Sequence, residues 1–157
     1  MKKGEQVRIP APGTNQRLHV FGAWNYAKDQ IHYQTHCKKT RHEFLTFLKH
    51  LVERRCNDRY VVLVLDNASY HHARIVREYL ETVQNRVFAF WLPAYAPELN
   101  LIERVWKHLK QVGLNNFYFE TLDNLERSVH RVFDAVNLKK LTLQIAFEKH
   151  KELASVT

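Results

Sequence analysis

The sequence predicts an α/β domain, a mixed sheet flanked by helices, and three observations lead there. Two neighbouring segments suit strands with a turn between them, and two uninterrupted apolar runs each stand beside a helical pattern. The chain has 157 residues, enough for one domain with a proper core. The predicted order is strand, strand, helix, strand, helix, strand, helix, helix, which implies a mixed sheet with helices on its faces.

Residues 1–16 are polar and marked by Gly and Pro, and read as an N-terminal extension with a short extended stretch at 6–9. Residues 17–25 (RLHVFGAWN) favour a strand, 26–30 a turn, and 31–36 (IHYQTH) alternate with period two, so the pair reads as an antiparallel hairpin. Thr40 is placed to cap a helix, with Glu43 completing a capping box. Phe44, Leu45, Phe47, Leu48, Leu51 and Val52 then form an apolar stripe at helical spacing. Residues 60–65 (YVVLVL) are continuously apolar, which predicts a central strand covered on both faces. A helix is expected over 72–80, with Ile75, Val76, Tyr79 and Leu80 inward, and a second buried strand over 86–92 (RVFAFWL). The prolines at 93 and 97 bar regular structure between them. Residues 99–112 follow as a helix with Ile102, Val105, Trp106 and Leu109 on one face. Another helix spans 122–136, and a last one runs from Lys140 into the tail. The expected division is an extension at 1–16, a core at 17–137 and a helical tail at 138–157.

Composition narrows the function classes. Lys and Arg number 24 against 16 Asp and Glu, a formal net charge of +8 that favours a polyanionic partner. Two cysteines, Cys37 and Cys56, make neither a disulfide framework nor a compact zinc motif, so a reducing, cytoplasmic setting is expected. No apolar run approaches the length of a membrane span, and no membrane partner is expected. The glycines, at 4, 13, 22 and 113, form neither a phosphate-binding loop nor a dinucleotide fingerprint.

Chemistry concentrates in two strings, LDNASYHH at 65–72 and LPAYAPELNLIERVWKHLK at 92–110. Asp66 directly follows a hydrophobic strand, where open α/β sheets present their ligand-binding residues. A buried carboxylate there needs a partner or a metal; the plain alternative is a turn or helix cap made with Asn67. Glu103 lies near the start of the helix after Pro97, where ordinary dipole stabilisation also places glutamates. One helix and one strand separate the two acids, and the prolines let the later helix start near the strand ends.

These strings resemble the DDE-superfamily endonuclease domain of bacterial insertion-sequence transposases allied to the mariner group. Asp66, Asn67 and His71 match a D-N-x-x-x-H stretch that ends one strand. Pro93, Pro97, Leu99, Asn100, Ile102 and Glu103 match a P-x-x-x-P-x-L-N-x-I-E stretch opening the helix with the last acid. Residues 17–25 resemble the family's second strand, and the likeness covers roughly 4–137. It implies a ribonuclease H-like sheet, phosphodiester cleavage and strand transfer on double-stranded DNA, at transposon ends and target. The implied cofactor is two magnesium ions, with manganese as substitute, held by Asp66 and Glu103 as catalytic residues. Asn67, His71, His72 and Asn100 would then stand behind the acids. Arg104, Lys107 and Lys110, with Lys38, Lys39 and Arg41, are the candidate phosphate contacts. Trp91, Trp106 and the aromatic run 117–119 read as core.

The resemblance also implies a third acid at the end of a first, central strand upstream of the segment at hand. Neither Glu5, Asp29 nor Glu98 matches its position. The expectation is therefore a domain truncated before that strand, with another strand, such as 6–9 or one from another chain, filling the gap. The alternatives are a catalytically dead remnant that binds DNA or joins an intact transposase, and an unrelated hydrolase using Asp66 as nucleophile; the expected protein partners are a second copy of this chain or an intact transposase.

Overall fold

The computed structural model describes residues 17–56, 59–94, 99–115 and 117–138. The expected extended stretch at 6–9 and the helix from Lys140 lie outside them. Strands β1 (His19–Asn25) and β2 (Gln30–His36) form the expected antiparallel hairpin, with Gly22 opposite Tyr33. Asp29 turns the chain at φ 50°, a left-handed conformation that Asp tolerates, and its carboxylate accepts from Trp24 Nε1 at 2.9 Å.

Helix α1 (Arg41–His50) begins at Thr40, whose hydroxyl accepts from His42 N at 3.2 Å and donates to the Glu43 carboxylate. The stripe of Leu51 and Val52 continues, but in a π-helical turn, Leu51–Arg55, rather than as α-helix. Arg86 closes that turn by donating to the carbonyls of Val52 (3.3 Å) and Cys56 (3.0 Å) at its end.

Strand β3 (Val61–Leu65), helix α2 (Arg74–Thr82) and strand β4 (Val87–Trp91) form a parallel unit with α2 as the crossover that parallel pairing requires. Helix α3 (Ile102–Leu109) runs into a second π-helical turn, Lys110–Leu114, and helix α4 (Leu122–Asn137) closes the described chain.

Two small cores result. One joins Phe21 of β1 with Leu63 and Val87 of the second sheet against Phe44, Leu48 and Val76 of α1 and α2. The other joins the opposite face of the hairpin, Val20, Trp24, Ile31 and Tyr33, to α3 and α4. Gly22 belongs to that second face, because a Cβ there would lie 2.6 Å from Trp106 Cη2. Asn137 at the end of α4 satisfies the backbone of Ile31, accepting from its N–H at 2.8 Å and donating to its carbonyl at 2.9 Å.

Three expectations need correction. The mixed sheet is divided: β1–β2 and β3–β4 are separate two-stranded sheets, and among the described residues no strand joins them. Strand β1 does not pair with β3 either. Nor are β3 and β4 covered on both faces. Val62, Val64, Phe88 and Phe90 are 68, 54, 65 and 50% exposed, because α1 and α2 cover only the face of Leu63 and Val87. Finally, Phe117 and Tyr118 are exposed rather than core, since they follow α3 in an extended connection.

Candidate functional site

Asp66 is the first residue beyond β3, and its carboxylate is held from three sides. Oδ1 accepts from Ala68 N at 3.0 Å, a turn that steers the chain toward α2. The same oxygen lies 2.8 Å from His71 Nδ1, which is also 3.1 Å from the Asp66 carbonyl. Both neighbours of that nitrogen are acceptors, so Nδ1 carries the proton. Burial pushes the His71 pKa below the usual histidine value, against the opposing pull of Asp66, so the ring is neutral at pH 7. The plain turn reading of Asp66 is borne out.

Asn100 connects the two acids. Its side-chain amide donates to Asp66 Oδ2 at 3.3 Å, and its carbonyl accepts from Glu103 N at 3.0 Å at the start of α3. Tyr70 lies within the field of both: burial first, then the Asp66 and Glu103 charges, raise its pKa to about 12. Asp66 and Glu103, distant in sequence, therefore stand at one end of the β3–β4 sheet. The Asp66 side chain is 41% exposed, so the pair opens to solvent.

Asn67 ties the ends of β3 and β4 together by donating to Leu92 O at 2.6 Å. Its Oδ1 accepts from His72 Nε2 at 3.0 Å, and the His72 ring stacks on Trp91 with centroids 4.3 Å apart. Trp91 is thus more than the core residue expected.

The basic residues divide. Lys107 and Lys110 line an open pocket of about 290 Å³ together with Glu103, Trp106, Gln111 and Asn115. Lys39 lies over Tyr70, its Nζ 5.1 Å from the centre of the ring. Arg104 is half-buried and outside that pocket lining, while Lys38 and Arg41 are exposed before and at the start of α1. Tyr70 is the residue that motif reading missed. Its signal was its place inside DNASYHH, one position before His71.

Comparisons with known proteins bear on the family and the fold. A family model described as DDE superfamily endonuclease matches residues 1–126. The chain is 24% identical over 136 residues to the "Insertion element IS630 uncharacterized 39 kDa protein" of Shigella sonnei, a match covering 86% of this chain and 39% of that protein. The fold is similar to that in a "Mos1 transposase paired-end complex with left transposon end", with TM-score 0.64 and 18% identity. That match covers 86% of this chain and 42% of the other. The architecture is therefore ribonuclease H-like, and the chain spans well under half the length of these two relatives.

Proposed function

This chain belongs to the DDE superfamily of endonucleases, and from that premise we propose that it is transposase catalytic-core material that binds duplex DNA, with Asp66 and Glu103 as its metal-holding acids. The observation that supports this reading is the pair of Asn100 bonds, to the Asp66 carboxylate and to the Glu103 backbone, with Tyr70 within the field of both acids.

DDE endonucleases as a class work with divalent metal ions. The donors here suit such an ion: both are carboxylate oxygens, the ligands that hard cations such as magnesium prefer. When bound, the metal supplies charge neutralisation at the attacking and leaving oxygens of a phosphodiester. The chain's own residues prepare that pocket. Neutral His71 donates to Asp66 Oδ1 and fixes the carboxylate's rotation, while Asn100 orients Oδ2. Tyr70, with its pKa near 12, remains a protonated phenol at pH 7 and adds no charge. Lys107 and Lys110 bring positive charge to the rim beside Glu103, suited to phosphate oxygens.

For this chain alone, the second reading is DNA binding without cleavage. Among the described residues no group of three His, Cys, Asp or Glu stands together as a metal site. Cleavage and strand transfer are proposed for a protein in which another acid joins these two. No helix among the described residues is long and apolar enough to cross a membrane.

The test combines fluorescence anisotropy on a short duplex, Mn²⁺ binding by electron paramagnetic resonance, and nicking of supercoiled plasmid. The chain is expected to bind duplex with a strong salt dependence and to bind Mn²⁺ without nicking. Asp66→Asn is expected to weaken Mn²⁺ binding about tenfold or more while leaving DNA affinity within about twofold. Lys107→Ala and Lys110→Ala should each reduce the salt slope by about 1. Unchanged Mn²⁺ binding in both Asp66→Asn and Glu103→Gln would remove these acids from the site.

A further inference from the structure

Asp66 marks one end of the β3–β4 sheet, and basic residues gather at the other. Arg59 and Tyr60 precede Val61, the first residue of β3, and the strand carries the chain about 17 Å from there to Asp66. Strand β2 runs from the hairpin turn to His36, and α1 returns along it, with Phe44 and Phe47 both against Phe21. The last turn of α1, with Lys49 and His50, therefore comes back toward the turn that holds Lys28. Arg54 and Arg55 follow in the π-helical turn, which Arg86 ties to the start of β4.

The charges at this end reinforce one another. After burial, the groups that lower the His32 pKa are Arg55, His50 and Lys28, and no acid acts against them. Lys28, Arg54, Arg55 and Arg59 are exposed, and among the described residues none of them pairs with an acid. The neighbouring acids accept elsewhere, Asp29 from Trp24 and Glu53 from Tyr79. A helix C-terminus favours basic side chains on its own account, which covers Lys49 and His50. It does not cover Lys28 in the hairpin turn or Arg59 ahead of β3. Cations spread over one surface suit a phosphate backbone, which gives up counterions for each phosphate they neutralise.

We propose that Lys28, Arg54, Arg55 and Arg59 form a second contact surface for duplex DNA, at the end of the domain opposite the acids, where the duplex is anchored without meeting them. The choice of duplex DNA rests on the function proposed above; the surface itself does not depend on Asp66 or Glu103.

The test measures fluorescence anisotropy of a short duplex across a range of salt with variants of the full chain. Arg54→Ala combined with Arg55→Ala should weaken binding about tenfold at low salt and reduce the salt slope by about 2, and Lys28→Ala should reduce it by about 1. The urea midpoints should not change. Arg74→Ala combined with Arg127→Ala removes as much charge from exposed arginines already paired with Glu78 and Asp123, and should reduce the slope by less than about 1. A photoreactive p-benzoylphenylalanine at position 60, where Tyr60 is 90% exposed beside Arg59, should crosslink to the duplex. Equal losses in the two double variants would reduce the effect to net charge and overturn the proposal, as would the absence of any crosslink from position 60. A loss confined to Lys107→Ala and Lys110→Ala would overturn it while leaving the proposed function standing. Weaker binding of the Arg54 and Arg55 variant to anionic lipid vesicles, with its duplex binding intact, would assign the surface to a membrane and overturn it too. A wild-type chain that binds no duplex would overturn both readings.

Discussion

The hairpin sheet meets side chains on each of its faces: Phe21 and Ala23 point to the core under α1, while Ile31 and Tyr33 pack against α4. The β3–β4 sheet is the more apolar of the two in sequence, yet helices of the described chain cover it on one side alone. It is this half-covered sheet that carries Asp66 at its end and Asn67 as the tie between its strands. The lesson concerns division of labour. The two cores pack against opposite faces of the hairpin, whereas the acids sit at a sheet end where the structure is held by a few polar bonds. Such bonds orient side chains well and stabilise little, about 1 kcal/mol each.

The largest test of this contrast is a pair of equal truncations. Phe133 is 1% exposed, with its ring 4.6 Å from Tyr33 and 5.9 Å from Trp106, so Phe133→Ala should cost about 3–5 kcal/mol in urea unfolding. Phe88→Ala removes the same atoms from a half-covered sheet and should cost about 1 kcal/mol. Equal losses would erase the contrast. Gly22→Ala comes next. Its new Cβ would lie 2.6 Å from Trp106 Cη2 and 3.1 Å from Trp106 Cζ2, a bulky ring packed against Phe133, so about 1–3 kcal/mol is expected. A wild-type urea midpoint would mean that Trp106 does not pack on β1 as described.

The same contrast explains what could be read from residues alone. The hairpin was legible because IHYQTH alternates, and alternation encodes which side chains face a core. The run VVLVL encodes only that its residues are apolar. It cannot distinguish a face covered by α1 from a face with no described cover, so the expectation of two buried faces failed at Val62 and Val64. The π-helical turns at Leu51–Arg55 and Lys110–Leu114 were invisible for a related reason. Their residues keep a helical apolar stripe, and the wider hydrogen-bond spacing leaves no local signature. Asp66, Asn100 and Glu103 stood out through their motifs, and the structure adds the bonds of Asn100 to the Asp66 carboxylate and the Glu103 backbone. Tyr70 did not, because its closeness to both acids depends on how α3 returns to β3, a matter of tertiary packing rather than spacing.

Asn67→Ala sharpens the polar side of the comparison. It deletes the bond to Leu92 O and the acceptor for His72, so a loss of about 1–2 kcal/mol is expected. The loss should appear as faster amide hydrogen exchange at the ends of β3 and β4, with the hairpin amides unaffected. Uniform acceleration across both sheets would mean that the two halves unfold as one unit and share their stability evenly.

The smallest effect is a pH dependence that belongs to the hairpin side. His32 on β2 has its pKa lowered, chiefly by burial and then by the positive charges of Arg55, His50 and Lys28. Its folded-state pKa lies below the unfolded value of 6.5, so the unfolded chain binds the extra proton first as pH falls. The stability contributed by the neutral ring is fully present above about pH 6.5 and is lost as pH falls toward the lowered folded value. His71 shifts in the same direction beside Asp66, so the two sheets contribute with the same sign. His32 is half-buried, and solvent screening limits its share to under about 1 kcal/mol. The measurement is the urea midpoint at pH 7.5 and pH 5.5 for the wild type and for His32→Gln. The variant should lose less stability on acidification, and an equal loss would assign the pH dependence to other groups, His71 first among them.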